Sequence, residues 1–480
     1  MQPVSDDPRD VNRQLLLRQA EIEARLERVE NSLFFRLMRW AGAKIGYRAA
    51  ADSGEDYASW VEQRGWADPR PEEVHRTKAP PITWVDTPAD ACHAQTEYCV
   101  VRPPDVRLSP LAEYRWSEFL QNHNCDVAYS DWDHVDAAGR RHSPRFTPEY
   151  SPELSRRTPY WGQCYLARTS LLREIGPGPE PMEAMARATR NIARIPHILW
   201  HSTSAPAQLD ASNPSPRGDP AQASIVICTR TPKLLGRCIR ALRSSDAAQA
   251  EIVVVAHDCK VASAHGEIVV PYSGQFHYGV MNGLGVAKCS RPVVVFLNDD
   301  VEPIASDWLG ALTGALANER VGIAGSLLLY PGDGIQHAGI SVGRRPVPAH
   351  IGRGQKSSPL WPWLRVTREV SAVTGACLAI RRNVWDKLGG FDRRFPVNYN
   401  DVDLCLRARR AGYSVVLECA AVLRHHEAQT RTTTVTPGER SLFSSLWTTE
   451  IASPDPYFNP NLALPDERIA LAPPLYTSFT

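Results

Sequence analysis

The chain is poor in the features that would place it outside the cytoplasm or inside a membrane. Its eleven cysteines, scattered from Cys92 to Cys419, are odd in number and contain no Cys-x-x-Cys pair. That disfavours a disulfide scaffold or a structural zinc site and fits a reducing, cytoplasmic setting. No stretch of about 18 uninterrupted apolar residues occurs, so no membrane span is expected. The start of the chain lacks a charged n-region followed by an apolar h-region, so no secretory signal is expected either. Charge of one sign is missing too: 54 Lys plus Arg stand against 53 Asp plus Glu, a net +1. That balance gives no support to nucleic-acid binding. Proline, in contrast, is plentiful, with 39 residues clustered between elements, as at 102–110, 174–181 and 204–220. At 480 residues and 43% hydrophobic content, the chain can form two or three domains with cores of their own.

Five regions follow from composition and periodicity. Residues 1–50 carry one helix, in which Ile22, Leu26, Val29 and Leu33 form a short coiled-coil-like seam that permits a dimer. The basic, amphipathic "FFRLMRWAGAKIGYR" that follows suits peripheral contact with the inner face of the cytoplasmic membrane or with a partner; packing on its own protein suits it equally. Residues 51–211 hold strands and helices of mixed clarity. The stretch "SNPSPRGDPAQ" (212–222) reads as a linker. Residues 223–435 then alternate clearly: "SIVICT" (224–229), "EIVVV" (251–255) and "PVVVFL" (292–297) are buried strands. Pro232 opens a helix whose stripe is Leu234, Leu235, Cys238, Ile239 and Leu242. Such alternation predicts a parallel sheet covered by helices, with ligands beyond the carboxyl ends of its strands. Residues 436–480 form a tail expected to pack on the preceding domain.

Three polar clusters fall where such a sheet binds ligands. "NDD" (Asn298, Asp299, Asp300) ends the third strand, although two acids after a strand also make an ordinary solvated turn. "NYNDVDLCLRARRAGY" places Asp401 and Asp403 at the start of a helix. Asp403 is expected only to complement the helix dipole and cap free N–H groups, while Asp401 can face a cleft as a general base. "AVLRHHEAQTR" is a strand ending in His425 and His426. Oxygen ligands with an imidazole suit Mg²⁺ or Mn²⁺ better than a closed zinc site.

Taken in order, "SIVICTRTPKLLGRCIRAL", "FHYGVMNGLGVAKCSRPVVVFLNDDVEP", "VGIAGSLLLYPGDGIQHAGI", "VSAVTGACLAIRRNVWDKLGGFD", "NYNDVDLCLRARRAGY" and "VLRHHEAQTR" resemble a family-2 glycosyltransferase of the GT-A fold. The subgroup resembled makes O-antigen, rhamnan and other bacterial surface polysaccharides, and "DPYFNPNLAL" (455–464) resembles the segment after its catalytic domain. The resemblance implies a Rossmann-like, mostly parallel sheet flanked by helices, and an inverting transfer from a nucleotide-sugar donor to a hydroxyl of a lipid-linked or growing glycan. It places Asp401 at the catalytic base. It places Asp300, Asn298, and His425 or His426 around a divalent cation, Mg²⁺ or Mn²⁺. Thr229, Arg230, Asp258, Asn282, Asn298, Asp299, Thr374, Gly375 and Ala376 fall on the donor and acceptor pocket. One departure touches the nucleotide base: Ala256 stands where the family has an Asp, with Asp258 two places on.

Residues 111–202 resemble a worn copy of the same fold, and the resemblance makes 51–211 a shortened, degenerate GT-A-like domain. "VVRPPDVRLSP" replaces the acidic motif and leaves only Asp105, and no acid like Asp401 follows "EIGPGPEPMEAMARATRN". "YSDWDHVD", with Asp131, Asp133 and Asp136, reads as a polar hairpin rather than a metal site. Two other classes compete. A non-catalytic glycan-binding or scaffold subunit is suggested by Asn298 and Ala256 and opposed by the retention of Asp300, Asp401 and the histidine pair. A nucleotidyltransferase requires a glycine-rich phosphate loop after the first strand, which "CTRTPKLLGR" lacks.

Overall fold

The computed structural model describes residues 57–62, 81–178, 181–205, 216–264, 266–343, 347–356, 362–426 and 435–472. The helix expected over 10–50 and residues 212–215 of the expected linker lie outside the described residues.

Among the described residues, seven strands precede residue 205: β1 (Ile82–Val85), β2 (Tyr98–Val101), β3 (Val106–Leu108), β4 (Val127–Val135), β5 (Arg141–Arg145), β6 (Tyr165–Arg168) and β7 (Ile192–Ser202). They form one sheet in the order β1-β2-β6-β4-β7-β3, with β5 on β4. Successive side chains of a strand point to opposite faces. Here Cys99, Val101, Val127, Tyr129 and Ala167 feed one core and Tyr98, Val100, Ala128 and Leu166 another. Both faces are covered, and β2 reads as an unbroken apolar run, whereas β4, β5 and β7 carry polar residues among the apolar ones.

The second half carries β8 (Ala223–Thr229), β9 (Glu251–His257), β10 (Ile268–Tyr272), β11 (Val293–Asn298), β12 (Val301–Pro303), β13 (Val321–Leu329), β14 (Ile335–His337), β15 (Ile340–Ser341), β16 (Ala349–His350), β17 (Arg368–Glu369), β18 (Cys377–Arg381) and β19 (Ser414–His425). Its main sheet runs β10-β9-β8-β11-β18-β13-β19-β12, with β14 on β13 and β17 on β19. The same two-sided logic holds: Val226, Val253, Val294 and Phe296 face one core, Ile225, Ile227, Val254 and Val295 the other. Each such side chain stabilises the fold by roughly 1.5–3 kcal/mol when fully buried. The sheet is mixed. β8, β9, β10 and β11 pair in parallel, whereas β18 is antiparallel to both β11 and β13. The helix Pro232–Arg243 buries Leu235, Cys238, Ile239 and Leu242, and Leu234 is only half-buried.

The two sheets are topological copies. β1, β2, β6, β4, β7 and β3 correspond to β8, β11, β18, β13, β19 and β12, with the same senses at every pairing: parallel, antiparallel, antiparallel, parallel, antiparallel. The hairpin strand β5 on β4 corresponds to β14 on β13. Among the described residues, the first sheet has no counterpart of β9 and β10.

Residues Gly54–Thr480 pack as one unit, and the segment after 435 reaches both halves. Asp131 and Asp133 do lie on the β4–β5 hairpin, but they are fully buried clamps rather than solvated turn residues. Asp131 accepts hydrogen bonds from the Thr147 N–H and hydroxyl and from the side-chain amides of Asn459 and Asn461. Asp133 accepts from Tyr57, Arg141 and His201. Only Asp136 behaves as a turn acid, receiving the N–H groups of Ala138 and Arg140. A second junction is Glu369 of β17, whose buried carboxylate accepts from the Ser151 hydroxyl and the Glu153 N–H. Burial pushes that carboxyl up to about 7.

Candidate active site

Strand pairing alone brings the polar clusters together. Because β8 and β11 are parallel, Asn298 ends beside Cys228 at one edge of the sheet. Because β18 runs the other way, with Leu297 opposite Cys377, the residues just before it arrive at the same edge. The Asn298 N–H accordingly donates to the Ala376 carbonyl at 3.0 Å. The short β12 then pairs with the end of β19, Val301 opposite His425, which sets Asp300 against that histidine. Asp300 Oδ1 lies 3.2 Å from His425 Nε2, and both side chains are more than nine-tenths buried.

Asp401 begins the helix Asn400–Arg410. Its Oδ2 accepts the Gly375 N–H at 2.7 Å and its Oδ1 the Val402 N–H at 2.8 Å. Each oxygen keeps a second lone pair for a hydroxyl. Gly375 is held in turn by Tyr278, whose hydroxyl donates to its carbonyl at 2.8 Å. A Cβ at Gly375 would come within 2.7 Å of that same hydroxyl. The turn into the helix passes through Tyr399 at φ 62°, a conformation costing on the order of 1–3 kcal/mol for a non-glycine residue. Tyr399 stacks on Phe443 at 4.6 Å, and Glu439 receives the N–H groups of Val397 and Asn398 just before it. Asp403, expected as a helix cap, is instead buried. It binds Arg407 Nε at 2.8 Å and receives the Trp447 indole N–H at 3.2 Å, so it anchors the C-terminal segment.

These residues line a cavity of about 370 Å³. Of the sequence-derived set, Asn282, Asn298, Asp299, Asp300, Thr374, Gly375, Ala376, Asp401 and His425 face it. Thr229, Arg230, Asp258 and His426 do not. The Thr229 hydroxyl donates to Asp299 Oδ2 at 2.6 Å and so braces the acidic turn from behind. Asp258, at φ 51°, lies 3.2 Å from His257 and 3.9 Å from Arg230. His426 falls one residue past β19 and turns to Glu302, at 3.5 Å. The structure adds Tyr278, Gln336, His350, Arg353 and Tyr399 to the lining. The signal for Gln336 was a polar Gln336-His337 pair inside the otherwise apolar "GIQHAGI".

The donor set fits a divalent cation. A separation of 3.2 Å between Asp300 Oδ1 and His425 Nε2 is close to the roughly 3 Å between neighbouring ligands of an octahedral ion with bonds near 2.1 Å. Among the described residues, no group of three or more His, Cys, Asp or Glu side chains is gathered for a metal. Mg²⁺ is commonly held by one or two carboxylates plus substrate phosphates, so a sparse protein share is appropriate.

Sheet order and cavity define a GT-A fold. Residues 361–443 match the family described as "Glycosyltransferase like family 2". The chain is 28% identical over 424 residues to the "O-antigen biosynthesis protein RfbC" of Myxococcus xanthus, covering 74% of this chain and 33% of that protein. It is 30% identical over 151 residues to an "N-acetylglucosaminyl-diphospho-decaprenol L-rhamnosyltransferase" of Mycobacterium tuberculosis, covering 28% of this chain and 47% of the relative. The chain thus spans a third to a half of the length of these two relatives. A solved structure of GalNAc-T7 with UDP, GalNAc and Mn²⁺ aligns at a TM-score of 0.37 and 13% identity, over 47% of this chain and 48% of that one. Among the described residues, no helix is long and apolar enough to cross a membrane.

Proposed function

We propose that this protein is an inverting glycosyltransferase that moves a sugar from a nucleotide-sugar donor to a hydroxyl of a bacterial surface glycan of the O-antigen or rhamnan type. The observation that carries this reading is the shared cavity: Asp401, aimed by two backbone N–H groups, opens into the same space as the Asp300–His425 pair. Asp401 takes the proton of the attacking hydroxyl. Asp300, His425 and the Asn298 side-chain carbonyl hold a divalent cation, which supplies positive charge against the leaving diphosphate. Asp299 and Thr229 keep that turn rigid. Asp258 and Arg230, at the ends of β9 and β8, take the nucleotide base in place of the acid missing at Ala256. Inversion needs one base and no covalent nucleophile, and the cavity offers one carboxylate so poised. The N-terminal half serves as a non-catalytic partner domain. The N-terminal 50 residues supply peripheral contact with the inner membrane face.

The test is release of nucleoside diphosphate from a panel of nucleotide sugars with Mn²⁺ or Mg²⁺. Turnover lost in Asp401→Asn supports the reading. Absence of turnover with every donor, together with indifference to that substitution, supports a glycan-binding scaffold instead.

A further inference from the structure

Two asparagines on the cavity wall have amides whose orientation the backbone dictates. Asn282, on the helix Tyr278–Val286, is 2% exposed, and its Nδ2 donates to the Tyr278 carbonyl at 3.0 Å. Asn400, the first residue of the helix that carries Asp401, is 4% exposed, and its Nδ2 donates to the Val397 carbonyl at 2.9 Å. An asparagine amide can be turned end for end, but a backbone carbonyl only accepts. In both residues the nitrogen is thus committed to the protein, and the oxygen is the end left over. Neither Oδ1 takes a hydrogen bond from a described residue, and neither is sealed in the interior as an unpartnered atom. Both residues are almost wholly buried and both line the cavity, so the cavity is where those oxygens come to the surface.

Both amides are tied to the frame that aims the proposed base. Tyr278, whose carbonyl orients Asn282, gives its hydroxyl to the Gly375 carbonyl, and the Gly375 N–H holds Asp401. Val397, whose carbonyl orients Asn400, is held through its own N–H by Glu439. Each Oδ1 is an acceptor that cannot reverse its polarity. A sugar hydroxyl can donate to it; the oxygens of an ionised diphosphate only accept, and find no partner there. We infer that Asn282 and Asn400 are specificity-determining residues that read sugar hydroxyls, leaving the diphosphate to the cation proposed at Asp300 and His425. This specificity rests on the glycosyltransferase reading, and the hydroxyls belong to the donor sugar or to the acceptor.

Calorimetry on the full chain with Mn²⁺ gives the test, with dTDP, UDP, dTDP-L-rhamnose, UDP-glucose and methyl α-L-rhamnoside as probes. Asn282→Ala and Asn400→Ala are each expected to weaken a nucleotide sugar or the glycoside about tenfold, the weight of one hydrogen bond to a buried partner, and to leave dTDP and UDP within about twofold. Retained nucleoside diphosphate binding also shows that the variant is folded. A loss on the nucleotide sugar assigns the hydroxyl to the donor; a loss on the methyl glycoside assigns it to the acceptor. Monodeoxy forms of the responding probe separate contact from support. At the hydroxyl that is read, deletion weakens binding to the parent about tenfold and to the alanine variant less than about twofold, whereas additive losses at every hydroxyl overturn direct contact. Equal weakening of nucleoside diphosphate and nucleotide sugar overturns the proposal, as does unchanged sugar binding in both variants. So does a parent that tolerates every hydroxyl deletion, however the variants fold. If the parent binds dTDP or UDP but none of the sugar ligands, hydroxyl recognition alone fails; if it binds no probe, the glycosyltransferase reading fails with it.

Discussion

The two sheets share strand order and pairing sense yet differ at most positions where chemistry is proposed. At the end of β2 the chain runs Arg102-Pro103-Pro104-Asp105 into β3, where β11 runs through Asp299 and Asp300 into β12. Val106 pairs with Ser202 as Val301 pairs with His425, so Asp105 keeps the place of Asp300 while a serine replaces the imidazole. Asp105 instead accepts from the Ser204 hydroxyl at 2.7 Å. Where Asn400 and Asp401 open a helix in the second half, Pro181 and Met182 open one in the first. Strands β9 and β10, at one end of the second sheet, have no described counterpart. A sheet keeps its pairing because its core is two-sided, and it can lose a site because the site rests on a few loop residues.

The sharpest way to break this comparison is to remove one acid from each half. Asp401→Asn is expected to lower turnover by about 10²–10⁴-fold, the usual weight of a general base. Asp105→Ala in the first half should leave turnover within about twofold, as surface substitutions away from a site do. Comparable losses from both, read by nucleoside diphosphate release, would end the assignment of one active half. Next, Asp300→Ala should abolish cation-dependent nucleotide binding by calorimetry; unchanged binding would remove the metal from that turn.

Smaller effects test how the halves are joined. Asn459→Ala strips two hydrogen bonds of 2.8 and 2.9 Å from the buried Asp131 carboxylate and should cost about 3 kcal/mol in denaturant unfolding. A loss below about 0.5 kcal/mol would mean that the C-terminal segment is not a structural strap. Glu369 predicts a pH effect at the other junction. Its folded value of about 7 lies above the ordinary carboxyl value of 4.5, so the folded state binds the extra proton between them. Its contribution is full below about pH 4.5 and is lost as pH rises through about 7. Glu369→Gln should flatten that decline, by up to about 3 kcal/mol at pH 8. An identical pH dependence in variant and parent would show that Glu369 is ionised throughout.

Much of this was legible in the sequence because apolar runs declare buried strands. β8, β9 and β11 fall within one or two residues of the segments that announced them, and Asp401 stands in the first turn of its helix. Direction was not legible: "CLAIR" is apolar whichever way it runs, and only its partners make β18 antiparallel. Asp403 was misjudged because an acid in a first helical turn has a local role by default, whereas here a side chain 44 residues away, Trp447, claims it. The hairpin of Asp131 and Asp133 was legible but their burial was not, since their partners Asn459 and Tyr57 are distant in the chain. Gln336 and His350 were passed over because short strands carry little periodicity.

Glu439 has a bearing on how such proteins can be recombined. Together with Thr436 it builds a capping box for the helix Pro437–Leu446, and the same carboxylate holds the backbone of Val397 and Asn398 ahead of Asp401. The proposed base is therefore inherited jointly with a segment that looks, by sequence, like a tail. A genetic crossover placed at residue 435 would hand a new host the acid without its support, so functional chimaeras should have their junctions beyond that helix.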